Sequence, residues 1–180
     1  MNLKETLYRF RVRTGTLGLL LTPVFSKPTF DYLLAGIGVT LLGLFLRAWA
    51  CGHLKKEAEL TTSGPYKYSR NPLYLANLII GTGVVIGSQS WFVAIYFIVY
   101  SLVFYPIIIY KEKEKMMHLF PEQYKEYQKN TPLFAPRIKL SLSGENKPFS
   151  FELYKKNKEP RALIGGILFW SVMAAKMLFF

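Results

Sequence analysis

A single cysteine, Cys51, excludes an internal disulfide framework and any cysteine-rich metal site in this 180-residue chain. It falls near an expected helix end, where it reads as a small apolar residue. Histidine is almost as scarce. His53 and His118 stand far apart with no ligand spacing around them, so no metal site is expected. There is no internal repeat, no low-complexity tract and no G-x-G-x-x-G dinucleotide signature. Arg9–Arg13 followed by Leu17–Leu21 has the outline of a secretory signal, but no small-residue cleavage site follows. The most informative absence is charge: no Asp, Glu, Lys or Arg occurs from Leu73 to Tyr110, a run of 38 positions.

A bilayer core takes about 20 apolar residues per helix, so that run holds two spans. The break falls at the turn-forming cluster Gly87-Ser88-Gln89-Ser90. Further spans are expected from Tyr32 to about Cys51 and from Ala162 to Phe180. A weaker one near Thr14–Ser26 has 13 uncharged residues and carries Pro23. It is tilted, re-entrant, or extended by Leu7, Tyr8 and Phe10. Residues 1–13 alternate basic and apolar positions and are expected to lie along the membrane surface. The chain is 51% hydrophobic and 16% aromatic, which in a water-soluble domain would leave large apolar patches. The predicted class is therefore all-α: a polytopic integral membrane protein of about five transmembrane helices.

The cations give an independent reading. If five segments span, 21 Lys and Arg lie on one side and only Lys27 on the other, with Lys176 inside the last span. The positive-inside rule then puts the N-terminus and the loops after the second and fourth spans in the cytoplasm, and the C-terminus on the opposite side. A cationic face against anionic lipid headgroups accounts for the net charge of +12 without any nucleic acid. Arg47, about a turn before Trp49, is expected to snorkel to the interface. The rival reading points it inward, to an acidic partner or an anionic ligand.

Two polar stretches flank the uncharged run. The first is Gly64-Pro65-Tyr66-Lys67-Tyr68-Ser69-Arg70-Asn71-Pro72-Leu73-Tyr74. Gly64-Pro65 signals a turn, and Asn71-Pro72 a helix start, with the Asn71 side-chain oxygen as cap and Pro72 at the first helical position. Tyr66, Tyr68, Arg70 and Tyr74 thus gather at a helix N-terminus, which suits an anionic or polyfunctional ligand and equally a membrane-surface anchor. The second stretch follows the fourth span. Tyr110 to Phe120 carries no breaker, so the membrane helix should continue through Glu112 into the cytoplasm. Phe120-Pro121 interrupts it, and Pro121–Lys129 forms a short helix with Tyr124 and Tyr127 on one face. Leu133-Phe134-Ala135-Pro136 is too short to span but can pack over a pocket opening.

Together these stretches resemble the isoprenylcysteine carboxyl methyltransferase and phospholipid methyltransferase superfamily of integral membrane enzymes. The first matches G-P-Y-x-Y-x-R-H-P-x-Y through Gly64, Pro65, Tyr66, Tyr68, Arg70, Pro72 and Tyr74. The second matches E-E-x-x-L-x-x-x-F-G-x-x-Y-x-x-Y through Glu112, Met116, Phe120, Tyr124 and Tyr127, followed by Thr131-Pro132 and Ala135-Pro136. The resemblance covers about residues 50–137. Asn71 stands where the family has His, Lys113 where it has a second Glu, and Pro121 where it has Gly, so Glu112 carries the weight of the second motif.

The resemblance implies methyl transfer from S-adenosylmethionine, held in a cytoplasmic-side pocket, to a lipophilic acceptor from the bilayer. It implies cofactor contacts from Tyr66, Tyr68, Arg70, Asn71, Tyr74 and Glu112, with Arg70 also as the catalytic residue, gripping the carboxylate of cofactor or acceptor. An acceptor carboxylate is already ionised and needs no base, so carboxyl O-methylation is favoured over N-methylation of a phospholipid headgroup. Three rivals remain: that N-methylation, a sterol-type NADPH-dependent reductase, and a non-catalytic membrane adaptor. The expected organisation is one domain, 1–180, with a C-terminal helix at 162–180 beyond the motifs.

Overall fold

The computed structural model describes residues 3–134 and 147–179, and the chain is helical throughout its regular structure there. The helices are α1 (Leu3–Phe25), α2 (Phe30–Cys51), α3 (Pro72–Ser88), α4 (Trp91–Leu119), α5 (Pro121–Asn130), α6 (Phe151–Lys156) and α7 (Pro160–Phe179), with a 3-10 turn at Gly64–Lys67. The Ala135-Pro136 end of the second motif lies outside the described residues.

Among the described residues three helices, α2, α4 and α7, are long and apolar enough to cross a membrane, against the five spans expected. α3 is apolar but only 17 residues long, about 26 Å at 1.5 Å per residue. α1 carries Lys4, Glu5, Arg9, Arg11 and Arg13 in its first half. It is one continuous helix rather than a surface segment followed by a span, because nothing before Pro23 breaks it. All five long helices nevertheless run up and down together. At one end, Lys27 N–H donates to the Ser88 carbonyl at 2.9 Å, and Lys176 Nζ donates to the carbonyls of Pro23 and Val24. Lys176 therefore satisfies backbone acceptors at the end of α1. At the other end lie Arg47, Tyr74, Glu112 and Glu159, with α5 and α6. We call this the motif end.

Packing is tightest between α2 and α3, where small residues face each other. A Cβ on Gly83 would sit 2.6 Å from the Gly36 carbonyl oxygen and 2.8 Å from the Thr40 nitrogen. Backbone meets backbone here, a contact that membrane helices use because apolar area drives nothing in lipid. α7 closes over this pair through Trp170 and the fully buried Met173. The α1–α4 seam is tied by phenols: Tyr96 donates to the Thr14 carbonyl at 2.7 Å and Tyr100 to that of Arg11 at 3.1 Å. Large apolar side chains point outward along the bundle, Phe45 at 72% exposure and Leu102 at 71% among them. In water such a surface would aggregate; in a bilayer it meets acyl chains. The protein is an integral membrane protein.

Arg47 departs from the snorkelling expectation. It grips Glu159 with two parallel bonds, Nε to Oε1 at 2.7 Å and Nη2 to Oε2 at 2.8 Å, and donates from Nη1 to Asn77 Oδ1. Cys51 Sγ lies 3.2 Å from Glu159 Oε2. The inward alternative wins because a charge at that depth is satisfied by an acidic partner at the start of α7.

Candidate active site

The 3-10 turn starts at Gly64, whose φ of +58° lies in the left-handed region. A Cβ there would also come within 2.4 Å of the His53 ring. Both facts demand glycine. The turn buries Tyr66, whose carbonyl accepts the Tyr127 hydroxyl at 2.7 Å. Arg70 N–H donates to the Pro132 carbonyl at 2.9 Å, and Ser69 Oγ donates to that of Leu133 at 3.1 Å. The two motif stretches are thus fastened by one backbone–backbone bond and by two side-chain hydroxyls that reach the backbone of the other stretch.

Helix α3 then leads Tyr74 to Glu112 on the extension of α4. The phenol donates to Glu112 Oε1 at 2.5 Å, and among the described residues Oε2 takes no protein hydrogen bond. Arg70 carries the complementary signal: its Nε is buried without a partner. Tyr124 stands against the Arg70 guanidinium and 6.1 Å, ring to ring, from Tyr127. Burial raises the Tyr124 phenol, opposed by Arg70; burial likewise lifts Tyr127 and Tyr66 well above the ordinary tyrosine range. All three phenols therefore stay protonated at neutral pH and act as donors.

Of the residues expected from sequence, Tyr66, Arg70, Tyr74 and Glu112 come together. Tyr68 packs instead on Trp49 of α2, with centroids 6.4 Å apart. Asn71 occupies the cap position of α3, but its side chain does not cap; its Nδ2 donates to the Leu133 carbonyl at 3.3 Å. The loop of the second motif has captured it. Tyr124 and Tyr127, which the sequence marked as one face of a short helix and as part of the second motif, were not among the expected site residues, and the structure sets that face against Arg70 and Tyr66.

Beside this cluster, an apolar cavity of about 310 Å³ opens between α1, α3 and α4. Its wall includes Val85, Val93 and Phe97 in the apolar stretch, with Tyr74, Asn77 and Arg11 among the polar ones. Arg11 was not singled out from the sequence, since only the fold carries α1 alongside Tyr74.

Residues 32–123 match the family model described as phospholipid methyltransferase. That stretch runs from α2 to the start of α5 and contains Tyr66, Arg70, Tyr74 and Glu112. The chain belongs to the phospholipid methyltransferase family. Two curated relatives carry other names. The nickel-cobalt-cadmium resistance protein NccN of Alcaligenes xylosoxydans xylosoxydans is 35% identical over 111 residues, 59% of this chain and 50% of its own length. The cobalt-zinc-cadmium resistance protein CzcN of Cupriavidus metallidurans is 35% identical over 109 residues, 58% of this chain and 48% of its own length. The chain thus spans about half the length of these relatives. No solved structure matches it. Among the described residues, no group of three or more His, Cys, Asp or Glu could hold a metal ion.

Proposed function

We propose that this membrane protein transfers a methyl group from S-adenosylmethionine to a lipophilic acceptor. The observation that carries the reading is the double position of Tyr74. Its hydroxyl bonds Glu112 in the polar cluster, while its ring lines the apolar cavity. A polar donor site and an apolar acceptor site sharing one wall is the arrangement such a transfer needs.

The residues suit the cofactor. Arg70 has an unpartnered Nε and a planar fork for the cofactor's carboxylate, and Glu112 has a free oxygen for its hydroxyl or amino groups. Tyrosine faces attract a sulfonium through the ring quadrupole. When bound, S-adenosylmethionine supplies an activated methyl: its C–S bond breaks as the bond to the acceptor forms, and a neutral thioether leaves. The protein's own work is to orient the partners and exclude water. The site presents protonated phenols and a carboxylate already engaged by Tyr74, and Asn71 in place of His supplies no base. An acceptor that is already an anion fits best, so carboxyl O-methylation of the isoprenylcysteine type leads. The family's description favours the alternative, N-methylation of a phospholipid amine.

Tritiated S-adenosylmethionine, offered with a farnesylated cysteine and with phosphatidylethanolamine vesicles, separates the two. Label released by alkali as methanol is expected; alkali-stable label on the phospholipid would move the reading to N-methylation. Label on neither would contradict methyl transfer to both acceptor classes. Val85→Trp, which fills the cavity, should raise the acceptor KM and leave cofactor affinity unchanged; an unaltered KM would remove the cavity from the account. The charge asymmetry supports a cytoplasmic motif end. In a Cys51→Ser background, Lys27→Cys should then react with an impermeant thiol reagent on intact cells, and Glu126→Cys only after lysis.

A further inference from the structure

A second cavity, of about 610 Å³, opens at the motif end between residues 52–63 and α6. None of Tyr66, Arg70, Tyr74 or Glu112 lines it, so it is distinct from the site above. Among the described residues its wall carries Lys55, Lys56, Lys147 and Lys156 against one carboxylate, Glu152. Glu59 pairs with Lys55 at 3.3 Å and with Lys147 at 2.8 Å, and among the described residues cations still outnumber anions. His53 adds no charge at neutral pH, because burial, helped by Lys67, lowers its pKa.

The frame of this cavity is fixed. Asn157 Nδ2 donates to the carbonyls of Cys51 and Leu54, both at 2.9 Å, and Ser150 N–H donates to that of Gly52 at 3.0 Å. These bonds hold α6 against the end of α2, where the Arg47–Glu159 pair already anchors the start of α7. Cations are thereby gathered around a preformed hollow rather than scattered over a mobile surface. Its surroundings are those of a membrane interface. Phe149 and Phe151 are 45% and 61% exposed beside it. Tyr154 packs with both rings, and Lys155 Nζ lies 5.0 Å over Phe151. Exposed aromatics interleaved with lysines mark the headgroup level.

We propose that this cavity binds the phosphate of an anionic phospholipid headgroup. Lysine ammoniums hold a phosphate as point charges, and several around one hollow attract it together. The aromatic flank selects a lipid over a free anion by seating the glycerol and upper acyl region. The inference does not rest on methyl transfer, and its test requires no activity.

The full chain, reconstituted in nanodiscs of phosphatidylcholine and phosphatidylglycerol, is released and weighed by native mass spectrometry. Wild type should retain phosphatidylglycerol preferentially. Lys56→Gln/Lys156→Gln should lose that retention about tenfold or more. Lys113→Gln/Lys129→Gln removes the same charge at the same end outside the cavity and should retain the lipid as wild type does. Circular dichroism checks that each variant is folded. Equal loss in both variants would reduce the effect to general surface charge and overturn the proposal, as would retention unaffected by the cavity variant. Displacement by millimolar inorganic phosphate with no lipid preference would make it a soluble-anion site and also overturn it.

Discussion

At the scale of single residues, Arg47 and Glu159 form the most buried ion pair among the described residues, at 24% and 4% side-chain exposure. Their two bonds hold the α7 start to α2, and Glu159, nearly fully buried, neutralises a guanidinium that is itself mostly withdrawn from solvent. Glu159→Gln should therefore destabilise the protein by about 3–5 kcal/mol, as removing one member of a buried pair does. Arg47→Met/Glu159→Met should cost less than the single change, measured by thermal unfolding in detergent. A double variant as unstable as the sum of the singles would mean the pair acts through something other than mutual neutralisation. The sequence raised an acidic partner for Arg47 as a rival to the interfacial pattern beside Trp49, but nothing in it named Glu159, 112 residues away. Asn71 illustrates the same limit. Asn71-Pro72 did mark the start of α3, but which neighbour its amide bonds depended on where residues 131–134 come to rest. Arg70 and Glu112 were legible through the two motifs that carry the family resemblance, since Glu112 by itself stands in the alternating charged run Lys111–Lys115.

At the scale of elements, hydrophobic runs and breakers were enough to place most helices. Ser88, Gln89 and Ser90 separate α3 from α4 because Gln89 turns left-handed at φ +47° and Ser90 Oγ caps the Val93 amide at 3.5 Å. α4 carries Pro106 within it yet continues to Leu119, and Phe120-Pro121 ends it. The short α6 was not foreseen; six residues carry too little periodicity, and its position comes from Asn157 and Ser150 reaching back to the end of α2. The α2–α3 seam was equally hidden, because glycines in apolar runs do not announce which face they share. Gly83→Leu would drive a side chain into the Gly36 carbonyl and the Thr40 backbone. The expected result is a lower unfolding temperature and loss of cofactor binding, since α3 also carries Tyr74. Unchanged stability would show that the helices part at little cost.

At the scale of the whole molecule, the fold turns apolar surface outward and concentrates charge at one end. That end holds two separate polar features: the cluster of Arg70, Tyr74, Glu112 and Tyr124, and the lysine-lined cavity against α6. Membership of the phospholipid methyltransferase family follows from residues 32–123. The metal-resistance names of the relatives belong to proteins about twice as long as the matched region. The central claim is that the polar cluster binds S-adenosylmethionine, and calorimetric titration of S-adenosylhomocysteine into the detergent-purified chain tests it most directly. Saturable binding to wild type is predicted, weakened about tenfold or more by Glu112→Ala and by Arg70→Ala, each removing a charge-assisted hydrogen bond. Folded wild-type protein that takes up no S-adenosylhomocysteine would contradict the account.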